Sequence, residues 1–313
     1  MVNMRNETNV KEFILEGFPA VQNLGKLLFV VLLLLYLVSV IGNTLIVMIM
    51  WMDHRLQIPM YLFLSSFSFL ECCFTTSVIP KLLAIFLSGM QTISFAACFT
   101  QAFVFISIGL TGIFLMAVMA IDRYMAICNP LHYPSIMTMK VCFLLILFCC
   151  SMGIIITTGL IVKVSQLSFC DSNIIKHFFC DLGPLTQLSC SDTSAVESFA
   201  FFLALFLILS SLFVIIICYI NITVTIMHLP SVKERQKAFS TCSSHLIVLS
   251  LMYGSCIFIY IKPNQASRLD TNRDAALMNT VVTPVLNPFI YTLRNKQFRL
   301  AFRDAIYKMK LLR

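Results

Sequence analysis

The sequence predicts an all-α membrane protein, in which a seven-transmembrane helix bundle is followed by a short amphipathic C-terminal helix. Composition is the first reason: 59% of the 313 residues are hydrophobic and only 12% are charged, with a mean hydropathy of +0.91. A water-soluble surface needs more charge than this. Patterning is the second reason, because the apolar residues form seven runs of about 20 residues, and a helix of that length crosses a bilayer.

Each of the seven runs is expected to be a helix, because lipid offers no hydrogen-bond partner to an open backbone. Within residues 24–293, the spans are predicted at 24–50, 59–87, 96–121, 141–162, 198–227, 238–261 and 275–293. Residues 1–23 are predicted to be an extracellular tail, and residues 294–313 a cytoplasmic amphipathic helix and tail. In that last segment apolar residues recur at helical spacing between basic ones, which suits an anionic membrane surface: Phe298, Phe302, Ala305 and Met309. An ordinary basic tail is the alternative.

The orientation of the bundle follows from its charges, because Lys and Arg are in excess on the side that holds the carboxyl terminus. This excess predicts a cytoplasmic C-terminus. An odd number of spans puts the two termini on opposite sides, so the N-terminus is expected outside. The glycosylation acceptor "NET", which begins at Asn6, agrees with an extracellular tail.

Most of the 13 cysteines lie in or at the inner edge of the spans, where a thiol usually acts as a small apolar core residue. The remaining ones map to the outer face, in an oxidising compartment: Cys98, Cys170, Cys180 and Cys190. These four cysteines allow three pairings, and the residues by themselves do not choose among them. Disulfides would anchor the long outer loop that runs from residue 163 to residue 197.

Two adjacent charges, Asp122 and Arg123, end a third span that is otherwise almost free of charge. An ion pair at this place can hold neighbouring helices closed, and an arginine released from it can reach a partner protein. The alternative is a simple charge anchor at the membrane interface. Inside the spans, Glu71 and Lys81 are the only other clear charges.

The sequence contains no metal-ligand cluster, no glycine-rich phosphate loop and no nucleophile–base pair, so neither an enzyme nor a bound cofactor is expected. His245 is interpreted as a polar packing residue at the inner end of its span. The seventh span has no lysine for a retinal Schiff base. A transporter remains an alternative, although it would usually show repeats or a ladder of intramembrane charges. The basic inner face suits acidic lipid, and nucleic acid is not indicated.

Short motifs occur in a fixed order along these spans. They are "GN" at Gly42–Asn43, "PMYLFLSSFSFLE" at Pro59–Glu71, "PKLL" at Pro80–Leu83, "MAIDRYMAIC" at Met119–Cys128, "HFFCD" at His177–Asp181, "LSCSDT" at Leu188–Thr193, "KAFSTCSSH" at Lys237–His245 and "PVLNPFIYTLRN" at Pro284–Asn295. Through these motifs, nearly the whole chain resembles an olfactory receptor of the rhodopsin-like G-protein-coupled receptor class. The resemblance implies a receptor that is not an enzyme, in the plasma membrane of sensory cilia.

The resemblance also implies roles for single residues. Cys98 would pair with Cys180, and Cys170 with Cys190. The motif residues Asp122, Arg123 and Tyr124 would form the switch, in which Arg123 meets a stimulatory G protein of the olfactory type and cyclic AMP rises. The open state would be supported by residues of the fifth and seventh spans: Tyr219, Asn287, Pro288 and Tyr291.

Three positions depart from the family pattern. Ile121 replaces a usual tyrosine, Glu71 stands where an aspartate is usual, and Gly112 stands where a glutamate is frequent. A buried carboxylate generally marks an ion or proton site. With one acid displaced and the other absent, at most a weak cation site is expected at Glu71, and no other metal site. A neutral, hydrogen-bonded Glu71 is the alternative.

The resemblance places the ligand in the outer half of the bundle. Helical spacing then nominates Phe105, Ile106, Gly109, Leu110, Leu203, Leu207, Tyr253, Cys256, Ile257, Tyr260 and Thr280. Phe105 stands where amine receptors carry an aspartate, so a charged ligand would lose its hydration without compensation. The predicted ligand is therefore a small, neutral, largely apolar volatile molecule, with one oxygen for Tyr260 or Thr280. A receptor of the same class for a non-odorant small molecule is the alternative.

Overall fold

The computed structural model describes residues 10–170, 172–261, 273, 276–294 and 296–311, with backbone alone at residues 20–22, 234, 237, 240–241, 257–261, 291–294, 296 and 305–311. Of the helices in this part of the chain, five are long and apolar enough to cross a membrane. They are α1 (Gly25–Met52), α2 (Pro59–Ser88), α3 (Phe95–Cys128), α5 (Met139–Ser165) and α7 (Ser194–Met227).

Two more helical segments complete a seven-helix bundle. The sixth is α8 (Val232–Ile261), and the seventh passes through a π-helical turn (Met278–Val282) into α9 (Thr283–Arg294). The short helix α4 (Tyr133–Ile136) lies between α3 and α5, and α6 (Leu182–Thr186) between α5 and α7. The fold class predicted from the sequence is confirmed. A last helix, α10 (Lys296–Leu311), follows the bundle.

The helix ends carry the residues that end helices in general. Ser94 and Thr138 accept hydrogen bonds from the backbone N–H groups of Ala97 and Val141, which caps α3 and α5. Gly89 closes α2 with a φ of 68°, a left-handed conformation that glycine adopts without strain. The helix α3 continues to residue 128, beyond the end of the predicted span at residue 121.

The helix α3 lies at the centre of the bundle and contacts α2, α5, α7 and α8. In its most apolar segment 44% of the residues are buried, against 22–28% in the other four long apolar helices. Large apolar side chains elsewhere face outward, such as Leu144 and Phe202, which are 64% and 65% exposed. A surface of exposed apolar side chains is the opposite of the surface of a water-soluble protein, and it is the surface that a lipid bilayer requires.

A three-stranded sheet covers one end of the bundle, called the outer end after the orientation predicted from the sequence. Its central strand β1 (Glu12–Leu15) pairs antiparallel with β2 (Thr92–Ser94) and parallel with β3 (Ile174–Ile175). Phe13 and Leu15 are fully buried beneath it. The segment expected to be a simple tail therefore contains a packed strand, because its alternating apolar residues have a hydrophobic surface to cover. The glycosylation acceptor Asn6 lies outside the described residues.

Disulfides hold the same outer end. Cys98 at the start of α3 joins Cys180, with 5.4 Å between their Cα atoms, and Cys170 joins Cys190, with 5.9 Å. Both pairs are those that the resemblance implies. Lys81 lies close by, and its Nζ donates to the carbonyl oxygens of Met90 and Thr92 at 2.9 and 2.7 Å. Lys81 is thus joined by its ammonium group to the segment that precedes α3.

The close contact between α3 and α5 gives a stability prediction. A Cβ on Gly153 would lie 2.5 Å from Thr111 Oγ1 and 2.7 Å from the carbonyl oxygen of Ser107. We expect Gly153→Ala to lower the free energy of unfolding by about 1–3 kcal/mol, because backbone atoms cannot move aside cheaply. Thermal melting of the detergent-solubilised protein measures this loss.

The matched control is Gly159→Ala on the same helix, where a Cβ would meet nothing within 4 Å. Alanine is the better helix former, so this variant should melt at or slightly above the wild-type temperature. Equal melting temperatures for the two variants would contradict the packing of α3 against α5.

Candidate functional site

A cavity of about 260 Å³ lies inside the bundle, between α2, α3, α8 and the π-helical turn. Its volume is slightly below the range of about 300–1,000 Å³ that is usual for ligand pockets. The cavity is lined by Phe67, Leu70, Glu71, Phe74, Phe105, Ile106, Ile108, Gly109, Leu110, Gly112, Ile113, Met252, Cys256, Asn279 and Thr283.

Aromatic rings form the wall of this cavity and tie it to the outer loop. The rings of Phe74 and Phe105 stack at 4.5 Å between centroids, and Phe105 lies 4.5 Å from Phe179 in the loop. The next residue is Cys180, whose disulfide fixes the loop to α3 and whose backbone N–H donates to Gln101 Oε1 at 3.0 Å. The loop over the cavity is therefore held in place by covalent, polar and aromatic contacts.

Nearby, His177 in the outer loop is also buried, and its ring stacks on Phe178 at 4.8 Å between centroids. Burial, and secondarily the positive charge of Arg273, lower the pKa of His177 to about 3. His177 is therefore neutral at physiological pH and acts as one more flat ring in the outer cluster.

The cavity contains part of the predicted ligand set. Phe105, Ile106, Gly109, Leu110 and Cys256 line it. Leu203, Leu207, Tyr253 and Thr280 do not, and the side chains of Ile257 and Tyr260 lie outside the described residues. The Thr280 hydroxyl donates to the carbonyl of Ala276 at 2.8 Å, and the Tyr253 hydroxyl to Ser211 Oγ at 2.8 Å. The hydroxyl groups of Thr280 and Tyr253 thus donate their hydrogen bonds to other atoms of the bundle.

The cavity-lining residues that are absent from the predicted ligand set come mainly from α2 and from the π-helical turn. The resemblance directs attention to the third, fifth, sixth and seventh spans, so Phe67, Phe74 and Asn279 were not nominated. A signal was nevertheless present, because Glu71 is an acid in an apolar span and Gly109 and Gly112 share one face of α3.

Metal binding has little support among these residues. The part of the chain that the structure describes contains no group of three or more His, Cys, Asp or Glu side chains that could hold a metal ion. At Glu71, the neighbouring position Gly112 contributes no side-chain oxygen. Among the described residues that line this cavity, Glu71 is the only charged one.

At the C-terminal end of α3, the expected pair of Asp122 with Arg123 is replaced by another contact. The Tyr133 hydroxyl donates to Asp122 Oδ1 at 2.8 Å. Among the described residues, no carboxylate lies within 4.0 Å of Arg123. Burial and the Asp122 carboxylate raise the pKa of Tyr133, which keeps its hydroxyl protonated. Adjacent positions on a helix point in different directions, so Asp122 and Arg123 do not face each other.

Arg123 lies instead beside a contact between the fifth and sixth transmembrane helices. The Tyr219 hydroxyl and His245 Nδ1 share a hydrogen bond of 2.6 Å. Tyr219, His245 and Cys242 are all close enough to Arg123 to interact electrostatically with its guanidinium group. His245 therefore has a specific partner, beyond the packing role expected from the sequence.

The "GN" motif of α1 and the proline of α9 form one structural unit. Pro288 has no N–H, so the carbonyl of Pro284 loses its helical donor. Asn43 Nδ2 fills that place and donates to the Pro284 oxygen at 3.0 Å. Gly42 makes the approach possible, because a Cβ there would lie 3.0 Å from the Pro288 ring. Asn287 is also buried, whereas the Tyr291 side chain lies outside the described residues.

Together, the seven helices, the loop-covered cavity and the arginine at the inner end of the central helix define the rhodopsin-like class of G-protein-coupled receptors. Squid rhodopsin has the same fold, with a TM-score of 0.73, 17% sequence identity, and coverage of 92% of this chain and 87% of that chain.

The sequence comparisons go further. A family model described as olfactory receptor matches residues 32–311. Olfactory receptor 6C2 of Homo sapiens is 48% identical over 309 residues, and olfactory receptor 6E1 of Mus musculus is 50% identical over 312 residues, with 98–99% of each chain covered. The chain belongs to the olfactory receptor family. It is an odorant receptor, a multi-pass protein of the plasma membrane, with an odorant ligand and a G protein as its partners.

Proposed function

We propose that the cavity between α2, α3, α8 and the π-helical turn is the odorant site. The observation that carries this proposal is the position of the cavity against α3, the central helix, which ends at Arg123. A ligand that fills the cavity contacts four helical segments at once. It can therefore favour one arrangement of these segments over another, which is what a population shift requires.

The wall of the cavity supports a small, largely apolar ligand. Phe67, Phe74 and Phe105 supply flat apolar surface, and the volume of about 260 Å³ limits the ligand to few atoms. Burial of apolar surface provides most of the binding free energy. A small ligand offers little of it, so binding is expected to be weak and broad.

Coupling to the G protein is proposed to use the inner end of the same helices. Outward movement of α8 would separate His245 from Tyr219 and open a cleft beside Arg123. The carboxyl-terminal helix of a stimulatory, olfactory-type G protein would then meet Arg123, and cyclic AMP would rise. A kinked α9 suits such a movement, because a proline inside a helix permits bending.

The proposed orientation has the sheet and the disulfides outside the cell, since disulfides form in oxidising compartments. On the inner side, α10 presents Arg299, Phe302 and Arg303 outward, while Phe298 is buried. This pattern suits contact with anionic lipid of the cytoplasmic leaflet. Delivery to sensory cilia is part of the same proposal.

Filling the cavity tests the ligand site directly. A Cβ on Gly109 would lie 3.8 Å from Phe74 Cε2, in ordinary contact, so the remainder of a leucine side chain would need the cavity itself. We expect Gly109→Leu to raise the odorant concentration for half-maximal cyclic AMP about tenfold or more, because a mismatch of single methylenes already has this effect. Cells with an olfactory-type G protein, a trafficking chaperone and a panel of neutral volatiles provide the measurement.

The control for this variant is Gly159→Leu, which adds the same side chain at a site on α5 with no neighbour within 4 Å. It should respond like the wild type at equal surface staining. An unchanged response from Gly109→Leu at normal surface level would place the odorant elsewhere.

A further inference from the structure

The floor of the cavity carries a carboxyl group with spare hydrogen-bonding capacity. Glu71 of α2 lines the cavity, and its Oε2 atom is buried without a hydrogen-bond partner. Asn287 lies close enough to interact with the Glu71 carboxyl group, although neither polar atom of its side chain makes a hydrogen bond of good geometry. Glu71 Oε2 therefore has no well-formed hydrogen bond to its neighbours among the described residues.

Two other polar side chains at this end of the cavity already make hydrogen bonds. Asn279 Oδ1 accepts a hydrogen bond from Ser255 Oγ at 2.6 Å, and the Thr283 hydroxyl is 3.3 Å from the carbonyl of Met278, to which it donates. The predicted polar partner Thr280 is buried and bonded within its own helix. Among the described lining residues, Glu71 is the strong acceptor that is left for a ligand.

Gly112 leaves space beside this acceptor. It lines the same cavity from α3, and a Cβ there would lie 3.8 Å from Phe67 Cε2, so a side chain would fit but none is present. A larger residue at position 112 would take up part of the floor. Its absence leaves room for the polar group of a ligand near Glu71.

We infer that Glu71 is the polar anchor of the odorant site, and that the receptor selects small apolar molecules whose polar group donates a hydrogen bond. Primary alcohols and primary amines have this chemistry, whereas ethers and hydrocarbons do not. The physical reason is that a buried acceptor left without a donor is costly, so a ligand that supplies the donor gains more than one that does not. This inference rests on the proposed function of the cavity and specifies its ligand class.

The experiment compares ligands of one carbon skeleton: a primary alcohol, the matching primary amine, the methyl ether and the hydrocarbon. Each is applied to cells that carry the full chain, and cyclic AMP and surface receptor are measured together. In the wild type, the better of the two donors should be at least about tenfold more potent than the ether. A preference for the amine indicates an ionised Glu71 carboxyl, which can only accept hydrogen bonds. A neutral carboxyl can also donate to an ether, so equal potency of the alcohol and the ether overturns the inference.

The decisive variant is Glu71→Met, which keeps an unbranched side chain of similar length and removes the acceptor. The potency ratio of donor to ether should fall to within about twofold of one. A ratio within a single variant does not depend on its surface level or on its coupling efficiency. Glu71→Gln keeps an acceptor oxygen, so it should retain a preference for the alcohol.

A second variant keeps the test valid if Glu71→Met fails to fold. Gly112→Ala leaves Glu71 in place and fills part of the floor, and we expect it to reduce the donor-to-ether ratio severalfold. Gly159→Ala serves as its control. A wild-type ratio near one, or a ratio unchanged in Glu71→Met, would overturn the role of Glu71 while odorant responses persist. Where Glu71→Met does not reach the surface, an unchanged ratio in Gly112→Ala overturns it. Absence of any response to any volatile, with receptor at the surface, would instead count against the proposed function itself.

Discussion

Replacement of Arg123 by alanine is expected to abolish odorant-stimulated cyclic AMP while leaving surface receptor unchanged. Arg123 stands at the inner end of the central helix, and its Nε is buried without a hydrogen-bond partner. Asp122 is engaged by Tyr133, so the arginine is not held by its adjacent acid. Its charge is thus available for a partner protein once the neighbouring helices move, and the loss should be at least about a hundredfold in potency or complete.

The readout is cyclic AMP per surface receptor, with staining and signalling recorded on the same cells. Arg299→Ala is the matched control, because it removes the same charge from the same face of the membrane at an exposed position of α10. We expect Arg299→Ala to signal within about twofold of the wild type, since an isolated exposed charge contributes little. Full signalling by Arg123→Ala would remove this residue from the mechanism.

Replacement of Cys98 by serine should prevent delivery of the receptor to the cell surface. The Cys98–Cys180 disulfide links residues separated by 82 positions, and both residues are fully buried. A bond that closes so long a loop is worth about 4 kcal/mol in the chain-entropy account, which is a large part of the stability of an ordinary domain. The same bond holds Phe179 against Phe105, so its loss also releases the cover of the cavity.

Flow cytometry of an extracellular epitope measures this loss. Cys150→Ser is the control, because Cys150 is a free, half-buried cysteine of α5. It should reach the surface at nearly the wild-type level. The double variant Cys98→Ser with Cys180→Ser should behave like either single variant, because each change breaks the same bond. Normal surface level and normal signalling of Cys98→Ser would contradict a structural role for the bridge.

The positions of several long helices along the chain could be predicted closely from the sequence. The helices at residues 25–52, 59–88 and 139–165 lie within a few residues of the predicted spans. A helix in lipid makes every backbone hydrogen bond within its own segment, so its formation depends on local sequence. The length and polarity of the segment decide where it crosses the membrane. The strand β1 was not predicted, because it exists only through its partners β2 and β3, which are far away in sequence.

The candidate site was predicted in part. Residues of α3 such as Phe105 and Gly109 follow from helical spacing on one known helix. Glu71 was recognised as unusual, but nothing in the sequence placed it on the floor of the cavity rather than in a separate ion site. The Tyr133–Asp122 contact was missed, because a short helix between two spans has no fixed position until it packs.

The sequence by itself determined the class of the protein, its helices and the motifs that assign it to the olfactory receptor family, because composition and local periodicity carry this information. Only the tertiary structure decided which helices enclose the cavity and which polar groups remain free within it. Contacts such as Asn43 with Pro284 and Tyr219 with His245 join residues of different helices. Their distances depend on how whole helices pack, and packing is a property of the assembled bundle rather than of any one segment.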